Sequence, residues 1–175
     1  MKVIRIDSLE HQVPQIGLIA DSAWRPDGKP LFLPDGTWNC ELRVAVRIDR
    51  LGKFISRKFA SRYYASFSIV NYLKAADDFA FFGLIDDTVV QGTWMPLPDE
   101  GTVDLTINTD TELSTVLKID RAEIDNAVVR LSSDVTLKTG DILILPQTIH
   151  SYLPHTNMRI CVLADGTSAL DFSVK

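Results

Sequence analysis

No run of apolar residues in this 175-residue chain approaches the ~20 that a membrane-spanning helix requires, and residues 1–12 hold no apolar stretch of a secretion signal. Those two absences lead to the expectation of a soluble, cytoplasmic protein with no membrane partner. Cysteine is scarce: Cys40 and Cys161 each sit in strand-like sequence, which suits small buried thiols better than a bridge. The three histidines, His11, His150 and His155, lack zinc spacing with those cysteines; His150 and His155, on either side of Tyr152, read as part of a polar loop after Pro146. Cations are short as well. Lys and Arg number 18 against 23 Asp and Glu, a net charge of -5, which argues against a nucleic-acid surface. The locally basic stretch Arg43, Arg47, Arg50, Lys53, Arg57, Lys58 and Arg62 reads as the solvated face of a strand and a short amphipathic helix. Repeats, low-complexity tracts and internal linkers are missing too, so residues 1–175 read as one domain.

What is present is enough apolar material for a core, at 46% hydrophobic residues, and a sequence dominated by strand signals. Residues 2–6 and 13–19 are short strands, and residues 21–36, with Pro26, Gly28, Pro30 and Pro34, read as a turn-rich connector. Residues 57–64 suit a short helix and 65–73 a strand. Residues 77–87 read as an apolar loop or helical turn whose Phe79-Ala80-Phe81-Phe82 cluster belongs in the core. A hairpin is expected over 103–108 and 112–119, around Asn108-Thr109-Asp110-Thr111. Asp120 is placed to cap a helix: Glu123 follows three positions on, and Ile124, Ala127, Val128 and Leu131 fall on one face. Asp165-Gly166 turns a last hairpin from 158–163 into 169–174.

The chemistry should be sought on the strand that begins Asn39-Cys40-Glu41-Leu42 and continues Arg43-Val44-Ala45-Val46-Arg47-Ile48. Side chains alternate faces along a strand, so Leu42, Val44, Val46 and Ile48 go to the core. Asn39, Glu41, Arg43 and Arg47 share the other, polar face, which is either solvated or the wall of a pocket.

That strand opens a series of motifs. The turn Leu33-Pro34-Asp35-Gly36 precedes it, and Lys58-Phe59-Ala60-Ser61-Arg62-Tyr63-Tyr64-Ala65 and Ser66-Phe67-Ser68-Ile69-Val70-Asn71-Tyr72 follow. Then come Gly92-Thr93-Trp94, the hairpin, the helix over 121–132, and Leu137-Lys138-Thr139-Gly140-Asp141. In order and spacing the series resembles the fumarylacetoacetate hydrolase family, which has Glu-x-Glu-Leu, Asn-Asp, Gly-Pro-Trp and Leu-x-x-Gly-Asp at these places. Residues 36–145 match best, and residues 1–35 look like a reduced N-terminal segment. The resemblance implies a mixed, predominantly β fold, with strands wrapped into a barrel-like roll flanked by a few short helices, and a homodimer. It also implies magnesium or manganese held by three carboxylates, and hydrolase, decarboxylase or isomerase activity on a 2-oxo or 1,3-dicarbonyl acid.

At the ligand positions the chain departs from that pattern. They fall on Asn39, Glu41 and Tyr72, leaving one carboxylate beside an uncharged amide and a phenol whose usual pKa, near ~10, makes it a poor ligand at neutral pH. Counting back from Gly92 through Asp86, the lysine position of the family falls on Gly83, and the closing Gly-Thr-Pro becomes Pro146-Gln147-Thr148. Arg43 and Lys74 lie two residues beyond Glu41 and Tyr72, on the same faces. The expectation is that Glu41 pairs with Arg43 or Lys74 in an ion-pair network that binds a small acidic metabolite or is structural, without a cofactor. Asn39, Tyr72, Asp86 and Thr93 would line it. The alternative is an active enzyme in which Glu41 is the remaining ligand of magnesium or manganese, or a general base, and Arg43 or Lys74 stabilises negative charge.

Overall fold

The computed structural model describes residues 1–10, 14–75, 82–99 and 101–175. In chain order its elements are β1 (Val3–Ser8), β2 (Gln15–Ile19), β3 (Trp24–Pro26), β4 (Trp38–Ile48), β5 (Tyr64–Ala75), β6 (Val89–Gln91), β7 (Met95–Pro96), β8 (Thr102–Asn108), β9 (Glu112–Lys118), the helix α1 (Arg121–Asp134), β10 (Ile142–Tyr152), β11 (Arg159–Ala164) and β12 (Thr167–Ser173). Short 3-10 turns occupy Asp21–Ala23, Arg57–Arg62 and Phe82–Leu84. The fold is mixed and predominantly β. Among the described residues, no helix is long and apolar enough to cross a membrane.

β4 and β5 form the spine because each is long and carries β-branched or aromatic residues whose bulk suits a pleated surface, Trp, Val and Ile in β4 and Tyr, Phe, Ile and Val in β5. They pair antiparallel in a register that sets Leu42 opposite Asn71, Val44 opposite Ile69 and Val46 opposite Phe67. Around them the larger sheet runs β2-β1-β10-β4-β5-β6-β3, with β7 on β5; β1 lies parallel to β10 and β3 parallel to β6. A second, antiparallel sheet runs β12-β11-β8-β9. One core cluster lies between them, joining Val44, Phe67 and Ile69 to Leu105, Ile107, Val162 and Phe172, and α1 adds Ile124, Ala127, Val128 and Leu131. Burying an Ile, Val or Leu side chain is worth roughly 1.5–3 kcal/mol, so three of these four residues are enough to dock the helix. The Asp120 carboxylate accepts a hydrogen bond from the Ala122 N–H at 2.8 Å, capping it as expected.

Several expectations need correction. The connector over 21–36 contains a strand, β3, hidden because it is three residues long and ends in proline. The first part of the polar loop expected after Pro146 is strand: β10 continues through His150 to Tyr152, with shifts of register around Thr148 that let the proline fit without breaking the ladder, while residues 153–158, with His155, form the loop. β4 is not half solvated. Every residue from Cys40 to Val46 is buried, because a second cluster built from Val3, Ile19, Ala45, Val70, Tyr72, Val89, Ile142 and Ile144 covers its other face. His11 and the Phe79–Phe81 part of the aromatic cluster lie outside the described residues, as does the side chain of Phe82.

Candidate functional site

The period of two along β4 and the register with β5 together assemble the site. Glu41 stands opposite Tyr72 and Asn39 opposite Lys74, so all four share a face with Arg43. Arg43 turns back on its neighbour: its Nε donates to Glu41 Oε2 at 2.9 Å, and its Nη2 lies 2.6 Å from the same oxygen. Lys74 Nζ approaches Glu41 Oε1 at 3.5 Å. Glu41 is 8% exposed and Arg43 7%, whereas the Lys74 side chain is 55% exposed, so the cluster reaches water at its lysine end.

β1 contributes two residues that the sequence reading did not include. Asp7 Oδ1 lies 3.6 Å from Arg43 Nη1, and Asp7 Oδ2 accepts from Arg5 Nε at 3.0 Å and Nη2 at 2.7 Å. Arg5 Nη1 in turn donates to the Tyr72 hydroxyl. The Arg5 and Arg43 guanidinium carbons lie 5.4 and 5.6 Å from the centre of the Tyr72 ring, within cation–π range. The alternation of Arg5 and Asp7 with buried Ile4 and Ile6 puts the two charges on one face of β1, and the docking of β1 on β10 beside β4 makes that face the one Glu41 occupies.

Three cations therefore surround two carboxylates and a phenol. Burial pushes the Tyr72 phenol up to about 12 even though Arg5 pulls the other way, so it keeps its proton at neutral pH. Burial alone would lower the Arg5 guanidinium, but Tyr72 and Asp7 raise it above its ordinary value. One donor is left over. Arg43 Nη1 is buried and, among the described residues, without a hydrogen-bond partner, 3.6 Å from Asp7 being too long for one. Among the described residues, no group of three or more His, Cys, Asp and Glu side chains is placed to hold a metal ion.

The other sequence candidates lie apart from this centre. Asn39 shares its face, but no hydrogen bond joins its side chain to Glu41 among the described residues. Asp86 is exposed on the turn before β6. Thr93 is exposed, and its N–H donates to Ala169 O of the second sheet at 2.8 Å. Gly92 beside it is required for that closeness, since a Cβ there would overlap the Ala169 carbonyl oxygen. Gly83 is similarly crowded, because a Cβ would overlap the Leu18 carbonyl oxygen. His150 stacks on Tyr152 with centroids 6.1 Å apart, and His155 pairs with Asp110 at 3.0 Å on the surface. Asn71 has a structural role: it accepts from the Tyr152 hydroxyl at 2.6 Å and faces the Cys40 thiol at 3.6 Å. Burial pushes that thiol up to about 11, so Cys40 is no nucleophile at neutral pH.

No protein-family model matches the chain, and no curated protein does. Solved structures do. A fumarylacetoacetate hydrolase family protein from Yersinia pestis CO92 superposes with a TM-score of 0.79 at 18% identity, over 99% of this chain and 92% of that one. The chain has the fumarylacetoacetate hydrolase fold. The same fold relates it to 5-carboxymethyl-2-hydroxymuconate delta-isomerase from Mycobacterium smegmatis, with a TM-score of 0.80, 20% identity, 99% of this chain and 78% of that one. Maleylpyruvate hydrolase from Sphingobium sp. SYK-6 gives 0.81 at 17% identity, over 99% and 70%. At these identities the likeness is one of fold.

Proposed function

We propose that this chain binds a small carboxylate-bearing metabolite at the Glu41–Arg43–Lys74 cluster and does so without a resident divalent metal. The observation that supports the reading is the occupation of Glu41. One of its oxygens is taken by Arg43 at 2.6 Å and the other is approached by Lys74 at 3.5 Å, while the Tyr72 oxygen accepts from Arg5. Magnesium and manganese favour several anionic oxygens, and here the ion would have to displace an ammonium and a guanidinium. That donor set does not fit such an ion. It suits an anion: Arg43 Nη1 is a buried donor in need of an acceptor, and Lys74 stands at the solvent end to receive a second oxygen.

The test is a calorimetric titration with pyruvate and 2-oxoglutarate, alongside thermal shift with manganese. Binding of an oxo acid that Arg43→Gln weakens about tenfold, equivalent to ~1.4 kcal/mol, is the expected result. A manganese-dependent rise in melting temperature that Glu41→Gln abolishes would overturn it.

A second reading keeps the scaffold catalytic. It is favoured by the names of the structures the fold matches, among them a muconate isomerase and a maleylpyruvate hydrolase. In that case the substrate is a 2-oxo or 1,3-dicarbonyl acid, Glu41 accepts a proton from it, and Arg43 and Lys74 hold the developing negative charge. Turnover of oxaloacetate or an acylpyruvate that is lost in Glu41→Gln separates this reading from binding alone.

A further inference from the structure

We propose that Asp7 fills the anion site of this chain with its own carboxylate, between Arg5 and Arg43, and that an incoming carboxylate binds there by displacing it. Displacement of Asp7 rests on the reading that the cluster takes a carboxylate-bearing metabolite, and it adds Arg5 and Tyr72 to the residues that receive the acid group. The contacts of Asp7 are those a ligand would make. Its Oδ2 accepts from Arg5 Nε at 3.0 Å and from Nη2 at 2.7 Å, the two-pronged geometry by which a guanidinium holds a planar carboxylate. Its Oδ1 reaches toward Arg43 Nη1 and stops at 3.6 Å, short of a hydrogen bond. The buried Arg43 donor is left over because a carboxylate tethered to β1 cannot serve both guanidinium groups at once, whereas a free one can settle between them.

The cations are fixed and the carboxylate is not. Arg5 is paired on both sides, with Ile144 of β10 and with Gly17 of β2. Its guanidinium donates to the Tyr72 hydroxyl, and Gly17 leaves room for it, since a Cβ there would come within 3.1 Å of Arg5 Nη2. Arg43 is buried and held by Glu41. Asp7 lies beyond these restraints. The ladder to β10 ends at Arg5, and the register with β2 shifts between Ile6 and Ser8, so Asp7 has no paired residue on either side. Its side chain, 33% exposed, borders a cleft of about 590 Å³ into which it can swing. The other charged residues lining that cleft are Glu10, Asp120 and Glu123 against Arg57. Such a cleft repels a displaced carboxylate and returns it to the two guanidinium groups when the ligand leaves. Asp7 thus competes with every ligand, and the apparent affinity falls with the share of time it is in place.

The test is a calorimetric titration of the full chain with pyruvate in the wild type, Asp7→Ala and Glu10→Gln. Asp7→Ala should bind about tenfold tighter than the wild type, the gain expected when an internal competitor that is in place roughly nine-tenths of the time is removed. Glu10→Gln, which removes a charge of the same cleft, should change affinity by less than about twofold. Adding Arg5→Met to Asp7→Ala should abolish the gain. Without added carboxylate Asp7→Ala should melt below the wild type, and acetate should raise its melting temperature more than that of the wild type. Equal affinity in the wild type and Asp7→Ala, a gain that Glu10→Gln matches, or acetate that raises both melting temperatures alike would overturn the proposal and leave the carboxylate reading intact. No binding of pyruvate or acetate to either chain would overturn both. Manganese-dependent stabilisation of the wild type, together with tighter pyruvate binding by Asp7→Ala, would support the displacement and remove only the metal-free reading.

Discussion

The Lys2 ammonium lies 2.6 Å from the Asp141 carboxylate, and the same carboxylate also accepts the Lys2 N–H at 2.7 Å and the Lys138 N–H at 2.8 Å. Asp141 is 1% exposed. Burial pushes its carboxyl up, but the bonds from Lys2 and Lys138 and the charge on Lys2 more than offset this and hold it below its ordinary value. A carboxylate depressed in the folded state stabilises the fold above its unfolded pKa, near ~3.9, and that stability is lost as pH falls through the folded value. Asp141→Asn is therefore expected to cost about 3 kcal/mol at pH 7 and to flatten the acid limb of stability against pH. Urea unfolding from pH 7 to pH 3 measures both, and an unchanged acid limb would count against the assignment.

Glu41 and Arg43 should behave as one unit. Removing either alone leaves the other charge buried with weaker company, at a cost of about 3 kcal/mol, while removing both relieves that penalty. A double-mutant cycle with Glu41→Gln and Arg43→Met is expected to show coupling of about 1–3 kcal/mol by chemical denaturation. Strict additivity would mean that Lys74 and Asp7 hold the two charges independently.

Tyrosine ionisation offers an optical test. Tyr72 is pushed up to about 12 by burial, and Tyr64 and Tyr152 are raised as well, each chiefly by burial. A folded pKa raised above the unfolded value near ~10 gives stability that is complete below pH ~10 and lost as pH rises through the folded value. Absorbance of phenolate should therefore lag behind that of free tyrosine and arrive together with alkaline unfolding. Loss of this lag at Tyr72 in Arg5→Met would be contrary to the dominance of burial.

Gly92→Ala should destabilise the fold by about 2 kcal/mol or more, because its Cβ would overlap the Ala169 carbonyl that joins the two sheets. Gly140→Ala is a useful control. Its site has open space but φ 86, so only backbone strain is added, at about 1 kcal/mol. If the two variants melt together, steric closeness at Gly92 is not what that glycine provides.

Much of this arrangement was readable in the residues. The alternation of β4, the β8–β9 hairpin, the Asp120 cap and the Asp165-Gly166 turn are local signals, and the turn shows both residues at positive φ, at 48 and 76, as a two-residue hairpin turn requires. The placing of Arg43 and Lys74 on the Glu41 face followed from strand geometry once β4 and β5 were aligned. β3 and the far half of β10 were not readable, because a proline in a short or bulged strand looks like a break when its partner strand is unknown. Arg5 and Asp7 escaped notice for a related reason. They reach the site across β10, and no local pattern says that β1 lies there.

The parallel docking of β1 on β10 joins strands whose paired residues stand 139 positions apart, as do Lys2 and Asp141. On a ribosome, the oily side of β1 formed by Ile4 and Ile6 must wait, without its β10 neighbour, until residues 142–144 have emerged. The β4–β5 pair can assemble long before that. Nascent chains stalled before residue 142 should thus hold a stable spine with an adhesive β1, and there a chaperone would have most to do.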